Sequence, residues 1–208
     1  MKDSRNNILK RLRQVKSAVK DPYTPNKEPI YSLAEEEDLV VQFAQSFTDN
    51  GGKFVYGDTF ADLAQQLSVL LYQNKWESVA CANKQLGNLL KHYDLKYSDD
   101  PSKFSDATVG ITSCEALIAR TGSVFLSSAS EAGRSLSILP DIHIVIATTN
   151  QVVSDLKDIL SLQSLRADDL PSMLNIASNN SQTADIEKTL VNGAHGPIAL
   201  YVFMTEAT

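Results

Sequence analysis

From residue 53 to residue 204, short apolar runs rich in β-branched residues alternate with stretches of helical period. That alternation confines the chain to α/β layering around a mostly parallel sheet. The predicted strands are Lys53–Tyr56, Val79–Ala82, Ala107–Ile111, Val124–Ser127, Ile142–Ala147, Leu174–Ala177 and Ala199–Met204. Between them, spacings of three and four predict helices over 58–72, Gln85–Tyr93, Ser113–Arg120, Val152–Leu162 and Thr183–Val191. Upstream, Ser32 and Glu35 have capping-box spacing, so a helix is expected to begin at Ser32, bury Leu39, Val40, Phe43 and Phe47, and end at Gly51-Gly52.

The first 31 residues read differently. Ile8, Leu12, Val15 and Val19 form a thin apolar stripe that predicts a helix over residues 4–19, and Pro22, Pro25 and Pro29 stop it. The expected organisation is therefore a basic helix with a proline-containing linker over 1–31 and an α/β domain over 32–208. Residues 1–20 carry a net charge of +6, which leaves −12 on the rest of a chain whose total is −6. So acidic a body repels phosphate and argues against nucleic acid as a partner. The basic helix is expected either to lie on its own domain or to dock on an acidic partner or a second copy of the chain.

At 43% hydrophobic and 21% charged residues, the composition is that of a soluble globular protein. No apolar run approaches the roughly 20 residues of a membrane span, and the N-terminus lacks the apolar core of a signal peptide. Two cysteines, Cys81 and Cys114, form neither a disulfide framework nor a CxxC pair. The expectation is a cytoplasmic protein with no metal site and no iron–sulfur cluster of its own. His92, His143 and His195 stand at no metal-ligand spacing from one another.

In open α/β sheets ligands bind beyond the carboxyl ends of the strands, so polar stretches that follow strands carry the chemistry. Three stand out: Gly110 to Glu115, Ala119 to Ser123, and Ser178 to Glu187. Thr112 and Glu115 have capping-box spacing; Cys114 falls at an early helical position that would stabilise a thiolate, but with no histidine nearby in sequence a buried inert thiol is the favoured reading. Thr112, Thr121, Gly122, Ser181, Thr183, Asp185 and His195 are expected to line one cleft at the carboxyl edge. Hydroxyls and helix amides there would bind a small carboxylate or phosphate, with Arg120 supplying charge. His195 and Asp185 are the candidate catalytic pair: an imidazole titrates near neutrality, and a carboxylate can orient it. The bland reading is that these groups only cap helices and brace the Gly196-Pro197 turn.

Five stretches, in order and spacing, resemble the LUD-domain family: Gly110-Ile111-Thr112, Ala116 to Ser123, Leu139 to His143, Thr183-Ala184-Asp185-Ile186-Glu187, and Gly193-Ala194-His195-Gly196-Pro197. The resemblance is firm over residues 105–204 and looser over 35–104. It implies a three-layer sandwich with a mostly parallel sheet, similar to the NagB/RpiA/CoA-transferase-like fold. It also implies membership of the lactate-utilisation branch, whose subunits together oxidise L-lactate to pyruvate. Iron–sulfur clusters would then sit on oxidoreductase companions and not on this chain. Two departures from the family pattern stand out. Asn179-Asn180-Ser181-Gln182 lacks the basic residue usual before the TADIE motif, and Arg120 replaces an acid before the Thr-Gly turn. Two other readings fit the same residues: a stand-alone enzyme or binder for a phosphorylated or CoA-linked metabolite, and a structural assembly subunit without chemistry.

Overall fold

In chain order the elements are α1 (Leu39–Asp49), β1 (Lys53–Gly57), α2 (Phe60–Asn74), β2 (Val79–Cys81), α3 (Lys84–His92), β3 (Val109–Thr112), β4 (Ala116–Ile118) and β5 (Ser123–Ser127). They continue with β6 (Ile142–Thr148), β7 (Val152–Val153), β8 (Leu174–Ala177), β9 (Gln182–Ala184), β10 (Leu190–Asn192) and β11 (Ala199–Thr205). The computed structural model describes residues 38–128, 135–159, 171–179, 182–184, 190–192 and 196–207, with backbone alone at 182–184 and 190–192. The basic helix expected over residues 4–19, its linker and the boundary at residue 31 lie outside the described residues. Among these, no helix is long and apolar enough to cross a membrane.

β1, β11, β6, β3 and β2 lie side by side in that order and are parallel throughout. A parallel sheet is covered on both faces, and the alternation along β6 shows how. Ile142, Ile144 and Ile146 face the layer built by Leu63 and Leu67 of α2 and Leu86 and Leu90 of α3. Val145 and Ala147 face the opposite way, onto Phe43 and Phe47 of α1 and onto Leu117, Val124 and Leu126. Phe43 and Phe47 are four residues apart on α1 and stack at 5.4 Å between ring centroids. Burying each contributes about 1.5–3 kcal/mol.

The caps explain where the helices start. Asp38 accepts a hydrogen bond from the Val40 amide at 2.9 Å, so α1 begins at Leu39 and not at Ser32. Thr59 and Asp62 form a capping box at the start of α2, and Asn83 accepts from the Leu86 amide at the start of α3.

β7, β4, β5 and β8 make a second sheet, antiparallel except where β7 joins β4. The helix expected over Ser113–Arg120 is therefore strand β4, which turns back on itself through Ala119–Gly122 to pair with β5. Its apolar run has two buried faces. Leu117 faces the central sheet, while Ala116 and Ile118 pack with Phe125 against Ile159, in the helical residues 156–159. The helix expected over Val152–Leu162 likewise opens as a strand, and only 156–159 of its described residues are helical. A third correction concerns Thr183–Val191: β9 and β10 pair antiparallel there, Thr183 opposite Val191, so TADIE does not open a helix at Thr183.

Candidate functional site

His143 is the second residue of β6 and only 1% exposed. By alternation it shares the face of Val145 and Ala147, towards the second sheet. Its register neighbours are Gly110 on β3 and Leu200 on β11. The imidazole reaches the next residue of β3 on that face. There Thr112 Oγ1 meets His143 Nε2 at 2.8 Å. Burial pushes the imidazole down to about 4, so it is uncharged at neutral pH.

Gly110 admits the loop before β6. A Cβ built on it would stand 2.4 Å from the Leu136 carbonyl oxygen and 2.8 Å from Pro140 Cγ. That loop carries Ser137 and Ile138, which with His143 and Leu200 line a cavity of about 530 Å³. The opposite wall is β8 and its continuation, Asn175 to Asn179, and Gly196 and Pro197 complete it. Gly110→Ala is expected to destabilise the protein by about 1–3 kcal/mol, because the methyl meets backbone and not a flexible side-chain tip. Urea denaturation measures this; a loss below about 0.5 kcal/mol would mean that the loop moves aside freely.

Two hydrogen-bond chains tie this wall to the turn between β4 and β5. In one, Ser123 Oγ donates to Thr121 Oγ1 at 2.7 Å and shares a 2.8 Å bond with Ser178 Oγ. In the other, Asn179 Nδ2 donates to the Asn50 carbonyl and Asn50 Nδ2 to the Thr121 carbonyl, both at 2.8 Å. The Asn179 that departs from the family pattern is thus a brace between the cavity wall and the end of α1.

The predicted site residues are placed unevenly. Thr112 supports His143, and Thr121 connects to the cavity wall through Ser123 and Ser178. Gly122 is a packing position: its φ is +55° and its Cα lies against the backbone of Ser46 and Phe47. Arg120 donates to Asp155 at 2.8 Å, and that bond, first among the causes, holds the Asp155 carboxyl below its usual range. Thr183 lies on β9. Ser181, Asp185 and His195 lie outside the described residues. In sequence, however, the stretch that holds all four begins after Asn179 and ends before Gly196, both of which line the cavity.

This cavity sits at the second residues of β6 and β11, near their amino ends, whereas the expected cleft is at the carboxyl edge. At the carboxyl edge the Tyr56 hydroxyl donates to Glu206, as does Thr149 Oγ1 at 3.2 Å, and a second cavity of about 450 Å³ opens beside Tyr56, Gly57 and Asp58. No helix begins behind Thr112, so Glu115 closes no capping box there and the amides of Gly110 to Glu115 are not a helix N-terminus. Cys114 is the buried, inert thiol that the sequence favours, and burial pushes it up to about 12. Sequence reasoning gave His143 no role. The available signal was one imidazole inside the apolar run Ile142–Ala147.

Residues 40–204 match the LUD domain family. "Lactate utilization protein C" of Bacillus subtilis (strain 168) is 35% identical over 115 residues, which is 53% of this chain and 48% of that protein. The protein of the same name in Halalkalibacterium halodurans is 37% identical over 108 residues, covering 50% of this chain and 47% of that one. The chain thus spans about half the length of the curated relatives it matches. A crystal structure of a DUF162 family protein from Deinococcus radiodurans superposes with a TM-score of 0.60 at 19% identity, over 80% of this chain and 96% of that one. That likeness bears on the fold alone and agrees with the layered α/β architecture. Because the family match runs from the second residue of α1 almost to the end of β11, the chain belongs to the LUD-domain family.

Proposed function

We propose that the chain serves as a subunit of a cytoplasmic system that oxidises L-lactate to pyruvate. The observation that carries this reading is the LUD match over residues 40–204, with relatives named lactate utilization protein C. In this reading iron–sulfur oxidoreductase companions hold the redox centres. The chain has two cysteines in all, both buried, and a cluster is ordinarily held by four. The functional site is the cavity over His143. The candidate catalytic pair His195 and Asp185, with Ser181 and Thr183, belongs to the stretch of sequence that joins two of its lining residues, and Thr112 and Thr121 support its walls.

Deleting the gene is expected to abolish growth on L-lactate as sole carbon source and to leave growth on glucose unchanged. The wild-type gene should restore growth. His195→Ala should not, while shifting the thermal midpoint of the purified protein by no more than about 2 °C. Unimpaired growth of the deletion strain on lactate would remove the proposed role. A functional but unstable His195→Ala protein would assign His195 to folding instead.

A further inference from the structure

The proton positions around His143 follow from counting donors and acceptors. Thr112 is 4% exposed, and its hydroxyl must place one proton. Among the described residues its hydrogen-bond contact is His143 Nε2, at 2.8 Å. The hydroxyl therefore donates to Nε2, and the neutral ring carries its own proton on Nδ1. Because Nε2 is occupied and His143 lines the cavity, Nδ1–H is the ring group left to serve a ligand.

The same count applies to Ser178. Ser123 directs its single hydroxyl proton to Thr121, whose carbonyl oxygen, 3.2 Å away, can only accept. Ser178 must then donate to Ser123 across their 2.8 Å contact. Its lone pairs remain to accept a proton from within the cavity. One wall thus offers a donor and the other an acceptor, while Ile138, Pro197 and Leu200 add apolar surface.

We propose that this cavity binds a 2-hydroxy monocarboxylate, with His143 Nδ1–H donating to the carboxylate and Ser178 Oγ accepting from the 2-hydroxyl. The choice of hydroxy acid rests on the lactate reading above; the donor and acceptor pattern does not. A 2-oxo acid has no proton to give Ser178, so the site discriminates alcohol from ketone by about tenfold, the upper range of one hydrogen bond. Each methylene added to the alkyl chain should tighten binding by about fourfold while the apolar wall lasts.

The test uses the full chain labelled with ¹⁵N-histidine and titrated with L-lactate, pyruvate, propionate and 2-hydroxy-4-methylpentanoate. The expected result is a His143 ring protonated at Nδ1 whose signals move with both hydroxy acids. Pyruvate and propionate should bind about tenfold more weakly than lactate. Ser178→Ala should reduce lactate binding to the propionate level and leave propionate binding unchanged, with its fold checked by thermal melting. An Nε2-protonated ring, unmoved His143 signals, or equal affinity for lactate and pyruvate would each overturn the proposal. Absent shifts alongside a lactate growth defect would refute this site and spare the proposed role. Clear shifts without a growth defect would do the reverse.

Discussion

Gly122→Ala is expected to destabilise the protein by about 2–5 kcal/mol. Two costs combine. At φ +55° the residue is left-handed, where an L side chain adds about 1–2 kcal/mol. The new methyl would also stand 2.3 Å from the Phe47 amide nitrogen and the Ser46 carbonyl carbon, and 2.6 Å from the Ser46 oxygen. These are backbone atoms inside α1, whose hydrogen bonds hold them in place, so an overpacking cost of about 1–3 kcal/mol applies. Gly51 is the natural control, because its φ is +92° but a Cβ there meets nothing within 4 Å. Gly51→Ala should cost only the conformational part. Urea denaturation of both variants decides the matter. If Gly122→Ala lies within about 0.5 kcal/mol of Gly51→Ala, the turn does not press on α1 as described. The consequence for function is direct: Thr121, next to Gly122, anchors both hydrogen-bond chains to Ser178 and Asn179. Displacing the turn should therefore weaken ligand binding in proportion to the loss of stability.

The central sheet was legible in the sequence, because its strands are apolar runs bounded by breakers. Ile142–Ala147 and Ala199–Met204 read as strands at once, and both fall within their observed strands of seven residues. The second sheet was not. Ala116–Ile118 is too short for its period to separate strand from helix. What decides the matter is Phe125, Val124 and Ser123 pairing opposite it, together with Val152 and Val153 some 35 positions downstream. The Thr-Gly turn stands out in the sequence as ligand-binding, but the structure gives it another role. Its glycine is fixed by close contact with α1 and by a positive φ, and neither is visible from local spacing. TADIE misled in a similar way: its threonine and acids suit a helix start, yet Thr183 pairs across a ladder with Val191.

Part of the candidate site's lining is legible: the polar run from Ser178 reads as facing a cleft, and Ser178 and Asn179 line the cavity. His143 was overlooked because its meaning is tertiary. It depends on Thr112, 31 residues away on the neighbouring strand. The cavity over His143 lies away from the expected carboxyl-edge cleft, because in this fold the loop at 135–140 and β8 line its two sides over the amino ends of β6 and β11. The general rule for open sheets does not foresee a second sheet packed on the first.

Stability should fall on mild acidification because of His143. Its imidazole titrates at about 4 in the folded protein against 6.5 when exposed, and burial is the cause. Above pH 6.5 the ring is neutral in both states and contributes no pH dependence. Below 6.5 the unfolded chain takes up a proton that the folded chain refuses, so unfolding gains about 1.4 kcal/mol per pH unit. The loss accumulates to about 3 kcal/mol near pH 4 and then stops, because the folded ring protonates too. Asp155 does not confuse this window. Arg120 lowers its carboxyl from 3.8, so its contribution is present above 3.8 and lost only as the pH falls further. Cys114 lies at the other extreme: its thiol is raised from 9.0 to about 12, and its contribution is lost only as the pH rises beyond 9. Urea midpoints measured between pH 7.5 and 4.5 should show the slope. His143→Gln should remove most of it, because a glutamine does not titrate while its Oε1 can still accept from the Thr112 hydroxyl. An unchanged slope in that variant would assign the effect to other groups. Ligand binding gives an independent check. Neutral Nδ1–H is the donor, so affinity for a hydroxy acid should stay level from pH 8 to pH 5. A rise in affinity as the pH drops through 6.5 would instead indicate a cationic imidazole and an exposed ring.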